Sequence, residues 1–218
     1  MRRFFAAALL LLMAAAVVSA QDVAAAPDKA KNNEVAFTIG RTFIADRGGP
    51  NPGVFDNTVH SGKGLSFDIS YARVFRRYKW GSLSGELPLL WNPDEDLNYG
   101  LNQVPEAYRS MFLTPAVRAR FLEGFAFQPW VSFGAGLGRF VASENMVFFG
   151  PNTGHRIKTT GTLDGAFGLD VPLGRKFNNA IFRFEARDNW SGQAPININT
   201  GKTRQHNIYV GGGVVFAF

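Results

Sequence analysis

From residue 34 to residue 218, apolar and polar side chains alternate along the chain in a series of separate segments. Alternation with a period of two is the pattern of a β-strand that has one apolar and one polar face. In the last segment, for example, the alternate positions from Ile208 to Phe218 are apolar apart from Gly212. The pattern predicts eight strands, at residues 34–45, 64–75, 82–91, 110–122, 126–141, 157–171, 177–190 and 205–218.

The connections between these segments alternate in length. Residues 46–63, 92–109, 142–156 and 191–204 are long and rich in Gly, Pro, Asn and Asp, whereas residues 76–81, 123–125 and 172–176 are short. Such a sequence predicts an all-β fold, an eight-stranded antiparallel up-and-down barrel. Four long loops lie at one rim, and the short turns and both termini lie at the other.

Alternation alone fits a soluble barrel and a transmembrane barrel equally well. Trp91 and Trp190 stand where strands meet long loops, and Trp80 stands beside a short turn. Tryptophans at both rims are typical of the aromatic girdles of a membrane barrel. Basic side chains crowd one short turn, as at a lipid headgroup boundary, and these are Arg73, Arg76, Arg77 and Lys79. We therefore predict a transmembrane barrel, with short turns on the periplasmic side.

The composition is consistent with a membrane that is crossed by strands. The chain has 14% aromatic residues and 24 glycines, yet its mean hydropathy is −0.05. Alternating strands give such an average, and no run of 18 apolar residues follows residue 20. There is no cysteine, so disulfides do not contribute to stability.

The first residues have the features of a secretory signal. Arg2 and Arg3 precede an apolar run, and Val18-Ser19-Ala20 is a small-x-small cleavage pattern. We predict a signal peptide at residues 1–20, a periplasmic lead-in at 21–33 and the barrel at 34–218; a short membrane anchor is the alternative. Without the signal, 21 basic and 17 acidic residues leave a net charge of +4 and no basic run for nucleic acid.

Charged residues recur on the polar faces of the strands. An eight-stranded barrel is just wide enough for side chains to fill, and buried charges must be paired. We predict a charge network in the lumen, formed by Asp68, Glu86, Asp164 and Glu185 with Arg118, Arg120, Arg183 and Arg187. Loss of Glu185 would then leave an arginine unpaired. Gly134, Gly136 and Gly138 are expected to leave room for these arginines. The network is either a plug that fills the lumen or a gated ion path.

Other motifs give little support for catalysis or for a bound cofactor. The stretch GAGLG at 134–138 lies in a strand and has no following helix or lysine, unlike a phosphate loop. The three histidines are His60, His155 and His206, with no spacing typical of a metal site. Asp94, Glu95 and Asp96 form either a solvated acidic loop or a divalent-cation contact. We predict no enzyme, no cofactor and no metal.

The signal peptide, the eight alternating segments and the ending VGGGVVFAF together resemble the bacterial outer-membrane β-barrel domain of the OmpA, OmpX and OmpW type. The resemblance covers about residues 34–218 and implies the barrel alone. It also implies that Val214, Phe216 and Phe218 form the signal read by the outer-membrane assembly machinery.

The expected location is the cell outer membrane, and the expected partners are outer-membrane lipid, lipopolysaccharide and the assembly machinery. We predict a structural or surface-interaction role. The resemblance leaves two alternatives open: a narrow, porin-like channel for small or hydrophobic solutes, and a lipid A-modifying enzyme.

Overall fold

A computed structural model describes residues 31–174 and 180–218, which form strands, turns and loops. In this part of the chain no helix is long and apolar enough to cross a membrane. The strands are β1 Asn33–Phe43, β2 Arg47–Gly48, β3 Thr58–Ser61, β4 Leu65–Tyr78, β5 Gly81–Asn98, β6 Ala107–Leu113, β7 Ala116–Phe121, β8 Gln128–Ala142, β9 Ile157–Pro172, β10 Ala180–Gly192 and β11 Arg204–Ala217.

The long strands close into a ring of eight antiparallel strand positions, and we call each position a wall. β1 pairs with β4 on one side and with β11 on the other, so the first and last strands close the barrel. β6 and β7 together form one wall between β5 and β8. This arrangement confirms the predicted eight-stranded barrel.

The register of the ring fixes the width of the barrel. Directly opposed residues lead from Asn33 around the ring and back to β1 at Phe43, through Arg73, Gly85, Val117, Phe133, Gly165, Asp188 and Ile208. The shear is therefore ten residues for eight strands. With ordinary strand spacing this gives a tilt of about 40° and a backbone radius of about 8 Å. Such a lumen holds side chains.

The two faces of the wall are arranged oppositely to those of a soluble barrel. On β1, Phe37 and Ile39 are 45% and 46% exposed, whereas Thr38 between them is 1% exposed. Phe133 on β8 is 71% exposed and its neighbour Ser132 is buried. Apolar side chains on the outside and polar ones inside are what a lipid environment requires.

The wall formed by β6 and β7 is interrupted at Thr114–Pro115. Proline has no N–H to donate to a neighbouring strand, so regular pairing stops there. A Cβ at Gly134 would lie 2.5 Å from the Pro115 carbonyl oxygen, and one at Gly136 would meet the Leu113 carbonyl oxygen. A Cβ at Gly138 would meet the Phe112 ring at 2.8 Å. The expectation that these glycines leave room for arginines was wrong, because the adjacent strand fills the space.

Several predicted boundaries also change at the long-loop rim. β5 continues to Asn98, seven residues beyond the predicted end at 91, and residues 46–63 contain the short strands β2 and β3. β3 pairs with the top of β5 through His60 and Asn98. Part of the predicted loop regions is therefore sheet that rises above the barrel. Residues 1–30 and 175–179, which include the predicted signal peptide and the start of the seventh segment, lie outside the described residues.

An apolar cluster fills the upper part of the barrel, toward the long loops. It combines inward residues of the walls with residues of the loops above them: Ile44, Val59, Leu90, Leu97, Tyr99, Val104, Tyr108, Phe112, Phe140, Ala142, Ala194, Ile196 and Tyr209. We call this cluster the apolar cap. It lies above the charged section of the lumen.

Candidate functional site

The lower lumen, toward the short turns, contains an ion-pair cluster centred on two carboxylates. Glu34 accepts hydrogen bonds from Arg118 and from Arg120, the latter at 2.5 and 2.7 Å. Asp170 accepts two from Arg183, at 2.8 and 2.9 Å, and lies 2.9 Å from Arg120. All five side chains are at most 7% exposed. Three arginines are thus held by two carboxylates through forked contacts, the geometry that guanidinium groups favour.

Trp130 organises this cluster from the wall of β8. Its indole N–H donates to Asp170 at 3.1 Å, and its ring lies 4.8 Å from the Arg183 guanidinium carbon and 5.6 Å from that of Arg118. Cation–π contact is strongest in such desolvated settings. The predicted aromatic girdle omitted Trp130, and the structure places it in the lumen.

The middle of the lumen has the opposite balance of charge. Arg187 lies 2.6 Å from Asp164, 3.5 Å from Glu86 and 3.7 Å from Asp68. Glu86 also lies 3.6 Å from Arg118 and so connects the two levels. Several carboxylate oxygens here have no hydrogen-bond partner within the described residues. Arg187 alone therefore lies within ion-pair distance of three carboxylates at this level, those of Asp68, Glu86 and Asp164.

Glu185 was predicted to pair with an arginine. The structure instead gives it a hydrogen bond of 2.7 Å from the Thr38 hydroxyl, which also contacts Tyr209 at 2.8 Å. Glu185 forms no ion pair within 4.0 Å among residues 31–174 and 180–218. The specific expectation that its loss would leave an arginine unpaired was wrong.

The structure places all eight predicted network residues in the lumen, where each is at most 5% exposed. The prediction omitted Glu34 and Asp170, which changes the balance from four acids against four arginines to six against four. Both lie on inward faces: Glu34 is two residues before Ala36, and Asp170 is two residues after Gly168, so each pair shares a face. Assigning every second residue of the first and sixth predicted segments to the lumen would have identified them.

Above the charges, amide side chains form a hydrogen-bonded group beside residues of the apolar cap. Asn207 donates to the Asn189 carbonyl at 2.7 Å and to Ser191 at 3.0 Å. Gln205 donates to Asn207 at 2.6 Å and accepts from Arg47 at 2.6 Å. In the cap, Phe112 and Phe140 pack edge to face at 5.6 Å. The lumen is thus filled from the ion-pair cluster to the cap.

The predicted acidic loop is not a solvated loop throughout. Asp94, Glu95 and Asp96 lie on the upward extension of β5, and Glu95 is buried. Glu95 accepts hydrogen bonds from Asn92 at 2.8 Å and from the Gly64 N–H at 3.1 Å. Within the described residues there is no group of three or more His, Cys, Asp or Glu side chains suited to a metal ion.

Two histidines contact aspartates at the long-loop rim. His60 contacts Asp46 at 2.7 Å and Asp56 at 3.4 Å, and the hydrogen bond to Asp46 raises the pKa of His60. His206 contacts Asp188 at 2.6 Å. Ser61 meets Asp46 through its backbone N–H at 3.1 Å and not through its hydroxyl. These contacts do not bring a serine hydroxyl to a histidine, as nucleophilic catalysis by a triad requires.

Comparison with known proteins identifies the fold. No protein-family model and no curated protein matches the chain. Among solved structures, Neisserial surface protein A has 13% sequence identity and a TM-score of 0.53, over 85% of this chain and 97% of that one. Outer membrane protein AlkL has 16% identity and a TM-score of 0.52, over 91% and 95%. OprG from Pseudomonas aeruginosa gives 12% and 0.49, over 86% and 97%.

The chain has the fold of an eight-stranded outer-membrane β-barrel. The apolar outer face and the polar interior are the arrangement of a transmembrane β-barrel.

The predicted girdle tryptophans lie on the outer face of this barrel. Trp80 is 45% exposed and stacks on Tyr78 at 5.1 Å near the short-turn rim. Trp91 packs on Phe67 at 5.9 Å, and Trp190 lies 4.7 Å from the Arg204 guanidinium carbon. Amphipathic rings at both rims suit the two membrane–water boundaries.

The predicted assembly signal lies along the seam between β11 and β1. Phe218 and Asn33 exchange backbone hydrogen bonds of 2.9 and 3.1 Å, and Val35 and Phe37 face Phe216 and Val214. Phe216 and Phe218 are exposed on the outer face. Recognition of Val214, Phe216 and Phe218 by the assembly machinery stays a prediction.

Proposed function

We propose that this protein is a closed, non-enzymatic barrel of the outer membrane with a structural or surface-interaction role. One observation carries the proposal: the lumen is filled by an ion-pair cluster toward the short turns, and by amide side chains and the apolar cap toward the long loops. The charged level and the cap have opposite chemistry, so a solute suited to one is disfavoured by the other. A gated path would have to open both.

The ion-pair cluster supports a plug because it connects distant walls across the lumen. Glu34 on β1 binds Arg118 and Arg120 on β7, and Asp170 on β9 binds Arg120 on β7 as well as Arg183 on the neighbouring β10. Removing one partner of a buried ion pair leaves an uncompensated charge and costs several kcal/mol, on the order of 3–5. Spontaneous opening of several such pairs is therefore rare.

Several features of maturation belong to the same proposal. Residues 1–20 are removed as a signal peptide, residues 21–33 form the periplasmic lead-in, and the short turns face the periplasm. Outer-membrane lipid, lipopolysaccharide and the assembly machinery are the partners. N-terminal sequencing of the mature protein tests the cleavage, and a sequence that begins before Gln21 would contradict it.

Conductance measurements test the closed lumen. The purified barrel is inserted into planar bilayers, and single-channel steps are recorded for the wild type and for the cap variant Phe112→Ala/Phe140→Ala. We expect no stable open level for the wild type. The cap variant should stay closed too, because the ion-pair cluster remains. Conductance steps should appear only when Arg183 is removed together with Phe112 and Phe140. Regular steps from the wild type would support a channel.

Two assays address the alternatives. Uptake of a small apolar solute into vesicles tests the conduit, and mass spectrometry of lipid A from cells that express the protein tests the enzyme. Unchanged uptake and unchanged lipid A are expected. Uptake above that of protein-free vesicles, or a new lipid A species, would overturn the corresponding part of the proposal.

A further inference from the structure

The upper end of β9 is paired with a neighbouring strand on one side only. β8 pairs with β9 as far as Ile157, whereas pairing between β9 and β10 ends at Thr162. Trp190 of the upper girdle is directly opposite Leu163, so residues 157–161 lie above the level of the girdle. This part of β9 is therefore the edge of a sheet outside the membrane.

β10 leaves β9 because the chain that follows it is anchored elsewhere. The Gly192 N–H, which would continue the ladder, donates to the Thr160 hydroxyl at 3.1 Å. The Ala194 N–H donates to the Gln205 side chain at 3.0 Å, and Ala194 and Ile196 are buried in the apolar cap. The chain after β10 thus turns inward over the lumen and leaves the edge of β9 uncovered.

Backbone groups along this edge point away from β8. The Ala142 N–H on the β8 side donates to the Arg156 carbonyl at 2.7 Å. In an antiparallel ladder, successive residues present their N–H and C=O groups to opposite sides. Ile157 and Thr159 therefore present theirs away from β8, where no hydrogen bond within the described residues satisfies them. Such an edge is able to pair with a further strand.

A groove of about 1190 Å³ lies along this edge. Its lining includes residues 157–159 of the edge and residues 193–199 of the loop after β10. A hydrogen bond of 2.8 Å from Asn197 to Asn152 joins the two loops beside it. Pockets for small molecules usually measure about 300–1,000 Å³, so this volume suits a segment of polypeptide.

The side chains of the groove favour an acidic and partly apolar occupant. The lining includes the basic residues His155 and Lys158 and no aspartate or glutamate. In the part of the chain that the structure describes, neither basic residue forms an ion pair within 4.0 Å. Phe149 and Ile157 add apolar surface and are 74% and 49% exposed.

Neither the rest of this chain nor a second copy fits the edge. The segments outside the described residues connect to the short-turn rim, on the other side of the membrane. Two copies that pair the same edge are related by a two-fold axis along the membrane normal. Their β9 strands, each tilted by about 40°, would then cross at about 80°, whereas strands that form a ladder are nearly aligned.

We propose that the upper edge of β9 binds an extended, acidic segment of another polypeptide outside the cell, which adds as an antiparallel strand in the place that β10 leaves open. Its backbone exchanges hydrogen bonds with Ile157 and Thr159, an acidic side chain meets Lys158, and apolar side chains contact Phe149. Backbone pairing supplies the affinity in this mode of recognition, and side chains supply the specificity. The inference rests on the proposed surface-interaction role and names the class of partner.

Peptide binding to the folded mature protein in neutral micelles tests the site. The probe is a fluorescent octapeptide in which valine alternates with glutamate and threonine, and binding is followed by fluorescence anisotropy. One control peptide has lysine in place of glutamate. A second has N-methyl groups at the residues that would pair with β9. Amide hydrogen exchange of residues 157–160 is measured by NMR with and without the probe.

We expect the acidic peptide to bind more tightly than the basic one. The N-methylated peptide should bind about tenfold more weakly than its unmodified form, because it cannot complete the ladder. The bound acidic peptide should slow exchange of the Ile157 and Thr159 amides, which face the groove. Exchange at Lys158 and Thr160 should not change, because their amides face β8.

Substitutions at the edge separate backbone pairing from charge. Thr159→Pro removes an N–H that faces the groove, and edge strands tolerate proline. It should weaken the acidic peptide about fivefold, whereas Thr159→Val, which keeps the N–H, should not. Lys158→Glu should weaken the acidic peptide about threefold and strengthen the basic one. The matched control, Lys79→Glu at the opposite rim, should change neither.

Equal binding of the methylated and unmodified peptides would overturn the site, and this comparison holds even if Thr159→Pro does not fold. Binding without slower exchange at Ile157 and Thr159, equal effects of Lys158→Glu and Lys79→Glu, or no binding to the wild type up to about 1 mM would overturn it as well. These results would leave the closed, non-enzymatic barrel intact, because its conductance and lipid A assays do not depend on this edge. Regular conductance steps from the wild type would instead contradict the proposed function itself.

Discussion

The two levels of charge in the lumen predict unequal losses of stability when one carboxylate is removed. Glu34 is the common partner of Arg118 and Arg120, and Arg183 lies 4.0 Å from it. After Glu34→Gln, Arg120 retains Asp170 at 2.9 Å, but the best remaining acid for Arg118 is Glu86 at 3.6 Å. A buried guanidinium thus loses its closest carboxylate, and we expect a loss of about 3–5 kcal/mol in the free energy of unfolding.

Asp68→Asn is the matched substitution at the other level. Asp68 is also buried, yet among the described residues its only ion pair is with Arg187 at 3.7 Å, and one of its oxygens has no hydrogen-bond partner there. Arg187 keeps Asp164 at 2.6 Å and Glu86 at 3.5 Å. Removing one negative charge from a section rich in carboxylates should change the stability by less than about 1 kcal/mol.

The assay is equilibrium urea unfolding of both variants in lipid vesicles, followed by Trp fluorescence and by the heat-dependent electrophoretic shift of the folded barrel. Equal destabilisation by the two substitutions would refute the reasoning. It would mean that the carboxylates at the two levels are equally well compensated, by water or ions that reach the lumen.

Three further predictions concern the seam, the rim and the interrupted wall. Deletion of Phe218 should cost only about 1 kcal/mol in vesicles but strongly reduce outer-membrane accumulation in cells, because a recognition signal is lost; normal accumulation would contradict that signal. The raised pKa of His60 means that its contact with Asp46 stabilises loop 46–61 at low pH and is lost as the pH rises through the pKa. The hydrogen-exchange protection of this loop, corrected for the intrinsic pH dependence of amide exchange, should therefore fall as the pH rises. In Asp46→Asn this fall should be smaller, with only Asp56 left beside His60. Gly136→Ala should destabilise the barrel by about 1–3 kcal/mol, because its Cβ meets the Leu113 carbonyl, whereas Gly161→Ala, with nothing within 4 Å, should be neutral in the same urea titration.

Side-chain parity explains why the barrel could be predicted from the sequence. A strand of period two assigns every inward residue once one face is known, so Arg118, Arg183 and Arg187 could be placed in the lumen from the pattern alone. Partner choice could not, because it depends on which residues meet across the lumen. Glu34 and Arg118 lie 84 positions apart and come together only through the ring closure.

Features that depend on local backbone were also beyond the pattern. Pro115 interrupts the fourth wall, and the glycines of β8 accommodate the irregular backbone there, a relation that requires the register of two strands. The extension of β5 follows from pairing with β3, a strand of four residues too short to show periodicity. The apolar cap joins residues from walls and loops that no single segment reveals.

The most direct test of the central claim asks which face of the wall meets lipid. The chain contains no cysteine, so single cysteines can be placed at Phe133 and at its neighbour Ser132 and labelled with a small fluorophore. Phe133→Cys should label readily in the folded barrel and be quenched by brominated acyl chains, because this side chain is 71% exposed. Ser132→Cys should label only after unfolding. Quenching of a label at position 132, together with no labelling of the cysteine at position 133, would mean that the polar face meets lipid. That result would contradict the transmembrane barrel with a filled, charged lumen.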